Sequence, residues 1–229
     1  MKNRTRAAFL LLVAALSACA GSTNAVIQSL QYAVQKDSSG ARAQLNPDFR
    51  YLRATVDGRV ILLVLGYVDS DSHGQILVWY SAQREVLRIQ NGRVVGAVGL
   101  NAEWRDVVMP DLPSWSALAR SEEGTRWIRI RDVMPGYRFG VRDVLSLRTV
   151  PAPSKSALQD IDARSLVWFE ERLEPGEAGP ESVLPPARYA VALRDGVGTV
   201  VYGEQCLTPA LCFSWQQWPA VAQTAKDAR

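Results

Sequence analysis

Phe49-Arg50-Tyr51-Leu52-Arg53-Ala54-Thr55-Val56, then Asp57-Gly58, then Arg59-Val60-Ile61-Leu62-Leu63-Val64-Leu65-Gly66-Tyr67-Val68, is the stretch whose reading decides the fold. Leu52, Ala54 and Val56 alternate with Arg53 and Thr55, the period of two expected of a strand with one buried face. Asp-Gly tolerates positive φ at both central positions of a tight turn, so it joins two antiparallel strands without splaying them. The second arm is strongly apolar, and the two strands with their two-residue turn have the pattern of a tight hairpin. The same grammar continues outward. Gln75–Ser81 and Arg84–Gln90 read as strands, and Asn91-Gly92 turns the latter into Arg93–Val98. Arg126–Val133, Tyr137–Val150, Leu166–Leu173, Arg188–Arg194 and Gly198–Glu204 follow, with Asp195-Gly196 between the last two. Nine or ten strands with no helices between them predict a mainly β fold. The expected form is one antiparallel meander making a closed or half-open barrel.

Two stretches interrupt the pattern. Met109-Pro110-Asp111-Leu112-Pro113 leads into Ser114–Ala119, read as a helical turn under Trp115. Glu174–Ala187 carries Pro175, Pro180, Pro185 and Pro186 and reads as a loop. One amphipathic helix is expected before the sheet, over Ala25–Lys36, because Val26, Ile27, Leu30, Ala33 and Val34 recur at steps of three and four. Ser22, Thr23 or Asn24 would cap its start, and Asp37-Ser38-Ser39-Gly40 would end it.

The amino terminus has the layout of an export signal. Lys2, Arg4 and Arg6 precede a ten-residue apolar run, Ala7–Leu16, too short for a bilayer core that takes about 20 apolar residues. Leu16-Ser17-Ala18-Cys19 then supplies a branched apolar residue, two small ones and a cysteine, the pattern of a lipoprotein processing site. The expected division is a signal peptide over 1–18, a lipidated tether over 19–24 starting at Cys19, a β domain over 25–218 and a flexible tail over 219–229. Ala20 after the lipidated cysteine, in place of aspartate, predicts sorting to the outer membrane with the body facing the periplasm.

Processing also changes the charge. The whole chain carries 26 Lys plus Arg against 23 Asp plus Glu. All three surplus positives, Lys2, Arg4 and Arg6, lie in the predicted signal, so the mature part is balanced. No basic footprint for nucleic acid remains. With Cys19 committed to lipid, Cys206 and Cys212 are left. In an oxidising compartment they are expected to pair across Leu207-Thr208-Pro209-Ala210-Leu211, contributing about 2 kcal/mol on the chain-entropy model.

Groups that attack or change charge near neutral pH are scarce. His73 is the only histidine and sits in the polar turn Asp69-Ser70-Asp71-Ser72-His73-Gly74. Asp69, Asp71 and Gly74 match the opening of a calcium loop. His73 stands at the third ligand position, however, and Tyr80 where a closing glutamate belongs. No metal and no cofactor are therefore expected. Glu170 and Glu171 are adjacent on a strand and point to opposite faces, so they do not converge on one bond. Trp127, Arg129 and Arg131 share one strand face and are the candidate glycan-binding residues. The competing reading makes Trp127 a core residue with the arginines passing its rim.

These residues together resemble the YjbF/GfcB lipoproteins. The likeness rests on the lipobox, the short helix, Phe49–Ala54 through Asp57-Gly58 into Ile61–Tyr67, then Gln75-Ile76-Leu77-Val78-Trp79-Tyr80, Val86–Val94 and Gly99-Leu100-Asn101. The resemblance implies an outer-membrane lipoprotein of capsule or exopolysaccharide production with a barrel-like domain. On that reading the protein is a non-enzymatic accessory that binds polysaccharide or a polysaccharide-export partner, anchored to the membrane by its lipid. A carrier of an apolar ligand in a half-open barrel is the alternative, and a glycan-modifying enzyme a third.

Overall fold

The computed structural model describes residues 45–110, 112–121, 124–174 and 183–220. The predicted signal over 1–18, Cys19 and its tether, the helix over 25–36 and most of the 219–229 tail lie outside the described residues. The residues from Asn46 onward group into one unit.

Twelve strands run up and down in chain order and close on themselves. They are β1 Tyr51–Val56, β2 Arg59–Asp71, β3 Gly74–Ser81, β4 Val86–Gln90, β5 Arg93–Val98, β6 Glu103–Val108, β7 Thr125–Met134, β8 Arg138–Val150, β9 Val167–Leu173, β10 Ala187–Arg194, β11 Val197–Thr208 and β12 Leu211–Trp218. Each pairs antiparallel with its neighbour in sequence, and β1 pairs β12 to complete the barrel. Closure removes the exposed edges that an open sheet of this size would present. The turns do what their residues predict. Asp57-Gly58, Asn91-Gly92 and Asp195-Gly196 all hold positive φ at both positions.

Two strands were not anticipated. β6 escapes a period-two reading because a bulge between Trp104 and Asp106 shifts its register against β7. Trp104 and Val107, an odd step apart, are both buried as a result. β12 alternates in residue type, with Phe213 and Trp215 inward, although Ser214 and Gln216 between and after them are buried as well. The spacing of the cysteines reads as a closed loop, whereas β11 and β12 continue until only Pro209 and Ala210 separate them.

Inward positions carry the core: Leu52, Leu63, Trp79, Leu87, Ala97, Trp104, Trp127, Leu145, Phe169, Tyr189 and Trp215 are buried. The outer wall carries Arg53, Arg88, Arg148, Arg172 and Arg188 in mid-sheet. A barrel that crosses lipid shows the reverse, an apolar belt outside and a polar interior. One sector of the outside is covered. The segment between β8 and β9 packs Ala157, Leu158, Ile161 and Ala163 on Trp168, Ala190, Ala192 and Tyr202. It is tied down by Gln159 N donating to Gln216 Oε1 at 2.9 Å and by Gln216 Nε2 donating back to the Gln159 carbonyl at 2.8 Å.

Candidate functional site

The two ends of the barrel differ. One end is formed by the β1–β2, β7–β8 and β11–β12 turns, and there Cys206 and Cys212, opposite each other in the ladder, are joined by a disulfide. Inside this region Trp104 Nε1 donates to the Leu207 carbonyl at 3.2 Å, both groups buried.

The other end is formed by the β2–β3, β4–β5 and β10–β11 turns together with the start of β1 and the end of β12. The long β6–β7 connection folds into it as a single helical turn, α1 (Trp115–Leu118). Ser114 caps it by accepting the N–H of Ala117. Trp115 anchors the turn from inside: its indole N–H donates to the Asn91 carbonyl at 2.7 Å, and its ring lies 5.2 Å from Phe169 and 5.1 Å from Tyr189. Gly198 lets the turn seat closely, since a methyl there would meet the Trp115 Cβ at 2.6 Å.

Beside this plug the end stays open. A cavity of about 500 Å³ is lined by the aromatics Trp79, Trp115 and Trp215 and by Arg50, Gln75, Asn91, Arg93, Thr199 and Gln217 among its polar groups. A second hollow of about 260 Å³, reaching toward Ile161 and Arg194, shares Thr199, Val201 and Gln217 with it. Trp79 has its indole N–H buried without a hydrogen-bond partner. The Arg50 guanidinium lies 6.0 Å from the Trp79 ring centre.

Arg93 is the hinge between cavity and core. It is 1% exposed, stacked at 3.8 Å over the Trp115 ring and within 5.2 Å and 5.6 Å of the Trp127 and Tyr189 rings. Its Nε stands 3.8 Å from Glu171 Oε2, an ion pair longer than a hydrogen bond. Both Nε and Nη2 are buried without hydrogen-bond partners. Burial lowers the Arg93 pKa, and the Glu171 charge opposes this. Glu171 lies 3.7 Å from Arg129 Nη1 on its other side. Its own pKa is raised by burial, which the charges of Arg129 and Arg93 only partly offset.

The chain of charges ends in a tight clamp. Arg131 donates from Nε and Nη2 to the two Asp143 oxygens at 2.6 and 3.2 Å, and Arg129 Nε reaches Oδ2 at 2.9 Å. Burial alone would raise the Asp143 pKa. The Arg131 hydrogen bond and the charges of Arg129 and Arg131 outweigh it, and the carboxyl sits below its ordinary value. Both guanidiniums also stack on Trp104, at 4.6 and 5.0 Å.

Trp127, Arg129 and Arg131 thus share a face, and that face is the interior one. They are 7%, 4% and 4% exposed, and the arginines are spent on Asp143. They form no exposed stacking surface because β7 puts its odd-numbered residues inside. Sequence reasoning missed Arg93, Trp79, Trp115, Trp215 and the two carboxylates. Turn chemistry did not give the pairing away: a two-residue turn at Pro135-Gly136 would set Arg142 opposite Arg129, and the register shift between Arg131 and Val133 brings Asp143 there instead. Glu170, on the outside as its parity requires, binds Arg148, Arg172 and Arg188 instead. At the β2–β3 tip, Asp71 accepts the His73 N–H at 2.7 Å and Gln90 Nε2 at 2.6 Å, so its carboxylate pins the turn. Among the described residues no three His, Cys, Asp or Glu side chains gather as metal ligands would.

Residues 25–175 match the family model described as group 4 capsule polysaccharide lipoprotein gfcB, YjbF. The chain belongs to this family. Among solved structures, the hypothetical lipoprotein YmcC from Escherichia coli (K12) is similar at 19% identity and a TM-score of 0.52, over 85% of this chain and 92% of that one. At that identity the likeness is one of fold. No curated protein matches. The family is one of capsule-associated envelope lipoproteins, and within it this chain supplies a closed barrel with one plugged, one-sidedly open end.

Proposed function

We propose that the protein is a periplasm-facing accessory of capsule or exopolysaccharide production, held in the outer membrane by lipid on Cys19, that binds a segment of the polysaccharide at the open end of its barrel. It holds the glycan without transforming it. The observation that carries this reading is the cavity at that end, where the indoles of Trp79, Trp115 and Trp215 stand among Gln75, Asn91, Thr199, Gln217 and Arg50. Flat apolar faces bordered by hydrogen-bonding side chains suit a sugar ring, which is apolar on its C–H face and polar at its edge. The shared lining with the second hollow gives an extended chain a path over the rim.

An apolar-ligand carrier is less well supported. The route from the cavity into the barrel is blocked by Arg93 and the ion pairs behind it, and a lipid tail would have to lie against these charged groups. For hydrolysis two carboxylates would have to flank a bond. Asp143 and Glu171 are instead held by arginines in the interior, and neither lines the cavity.

The test is complementation. Cells lacking the gene should show altered amount or chain length of surface polysaccharide. The wild-type gene should restore it, and a variant with Arg50→Gln and Gln75→Ala together should restore it poorly at equal protein level. Polysaccharide unchanged by the deletion would contradict the assignment, and full rescue by the double variant would remove the cavity from it.

A further inference from the structure

The cavity has an electrostatic bias that the binding of a neutral glycan does not use. Its lining and that of the adjoining hollow contain Arg50, Arg93 and Arg194, and among the described residues neither contains an aspartate or glutamate. Asp71 and Asp195 sit on neighbouring turn tips but line neither. Behind the wall, the interior holds the buried arginines Arg93, Arg129 and Arg131 against the buried carboxylates Asp143 and Glu171. Asp143 is matched by two arginines at hydrogen-bond distance, whereas Glu171 touches Arg93 only across 3.8 Å. Three interior arginines against two interior carboxylates leave one surplus positive charge behind the cavity wall. A buried cation with open donors is costly unless an anion completes it. Stacking on Trp115 fixes the Arg93 guanidinium plane, with Nε turned toward Glu171 and, like Nη2, closed off from solvent.

Resting on the glycan-binding reading above, we infer that the ligand is an acidic saccharide, whose sugar carboxylate is met by Arg50 at the rim while Arg93, in the lining beneath, adds its positive charge. The aromatic walls hold the ring, and the arginines select the charge. Selection of this kind favours glycan segments bearing uronic-acid-type residues over neutral ones of equal length.

The test uses the protein purified in detergent and two probes that differ only in charge, an oligogalacturonide and its fully methyl-esterified form. The acid form is expected to bind about tenfold or more tightly than the ester, as charge-assisted bonds imply. Arg93→Gln should reduce that preference. Because Arg93 is buried, thermal melting must show that this variant folds. Arg50→Gln, at an exposed position, is expected to reduce the preference several-fold with an unchanged melt, and stands on its own if Arg93→Gln does not fold. Equal affinity for acid and ester, no binding of either, or a preference untouched by Arg50→Gln and a folded Arg93→Gln would overturn the inference. The deletion arm of the complementation experiment reads glycan handling without regard to charge, so equal affinity for acid and ester with polysaccharide still altered by the deletion overturns this inference and leaves the binding reading standing.

Discussion

The two halves of the barrel interior are built from the same materials, arginine and tryptophan, and end in opposite states. Around Trp104 the guanidiniums of Arg129 and Arg131 stack on an indole and close on Asp143, with donors and acceptors satisfied. Around Trp115 the guanidinium of Arg93 stacks just as closely, but its carboxylate stands too far to accept, and the space beyond is open. Packing an arginine into a barrel can thus serve either stability or recognition. Which one it serves depends on how tightly the chain's own carboxylate closes on it.

The largest expected effect breaks the closed half. Asp143→Asn leaves two buried arginines without their anion and should cost about 3–5 kcal/mol in denaturant unfolding. A loss below about 1 kcal/mol would mean the clamp is not a structural keystone. The pH dependence sharpens the same point. Because the folded Asp143 pKa is depressed, its contribution is complete above the unfolded value of about 3.9 and is lost as pH falls through the folded value. Glu171 has the opposite sign: its raised pKa favours the protonated form in the fold, so its effect on stability worsens as pH rises through the folded value. The acid-induced loss of stability should therefore shrink in Asp143→Asn, as measured by melts between pH 3 and 7. An unchanged acid limb would assign it elsewhere.

A smaller effect is expected at the plug. Gly198→Ala inserts a methyl against Trp115 and the Ser116 N–H, and should cost about 1–3 kcal/mol while shifting the Trp115 indole resonance. An unperturbed resonance would show that α1 is not seated as described. The smallest effect on stability, and the cleanest contrast, belongs to the open half. Arg50→Gln should change unfolding free energy by no more than about 0.5 kcal/mol, as an exposed surface change does, while weakening saccharide binding.

The barrel was legible where turn chemistry and period two agreed, as in Phe49–Val68, where Asp57-Gly58 announces the register. It was illegible at β6, where a bulge puts Trp104 and Val107 on one side and breaks the alternation. Grouping Trp127, Arg129 and Arg131 on one face followed from parity. Which face was inside did not, because arginine is usually exposed and only its pairing with Asp143 makes burial tolerable. Arg93 was harder still. Its neighbours Trp115, Trp127, Glu171 and Tyr189 come from four other elements, and no local pattern joins them.

Hydrogen–deuterium exchange of the purified protein, with and without the polysaccharide made by its own cells, tests the central claim most directly. The account predicts protection concentrated at Asn91–Gly92, residues 112–115 and residues 198–201, the rim and plug of the open end. Protection confined to the disulfide end or the outer wall, or none at saturating polysaccharide, would contradict it.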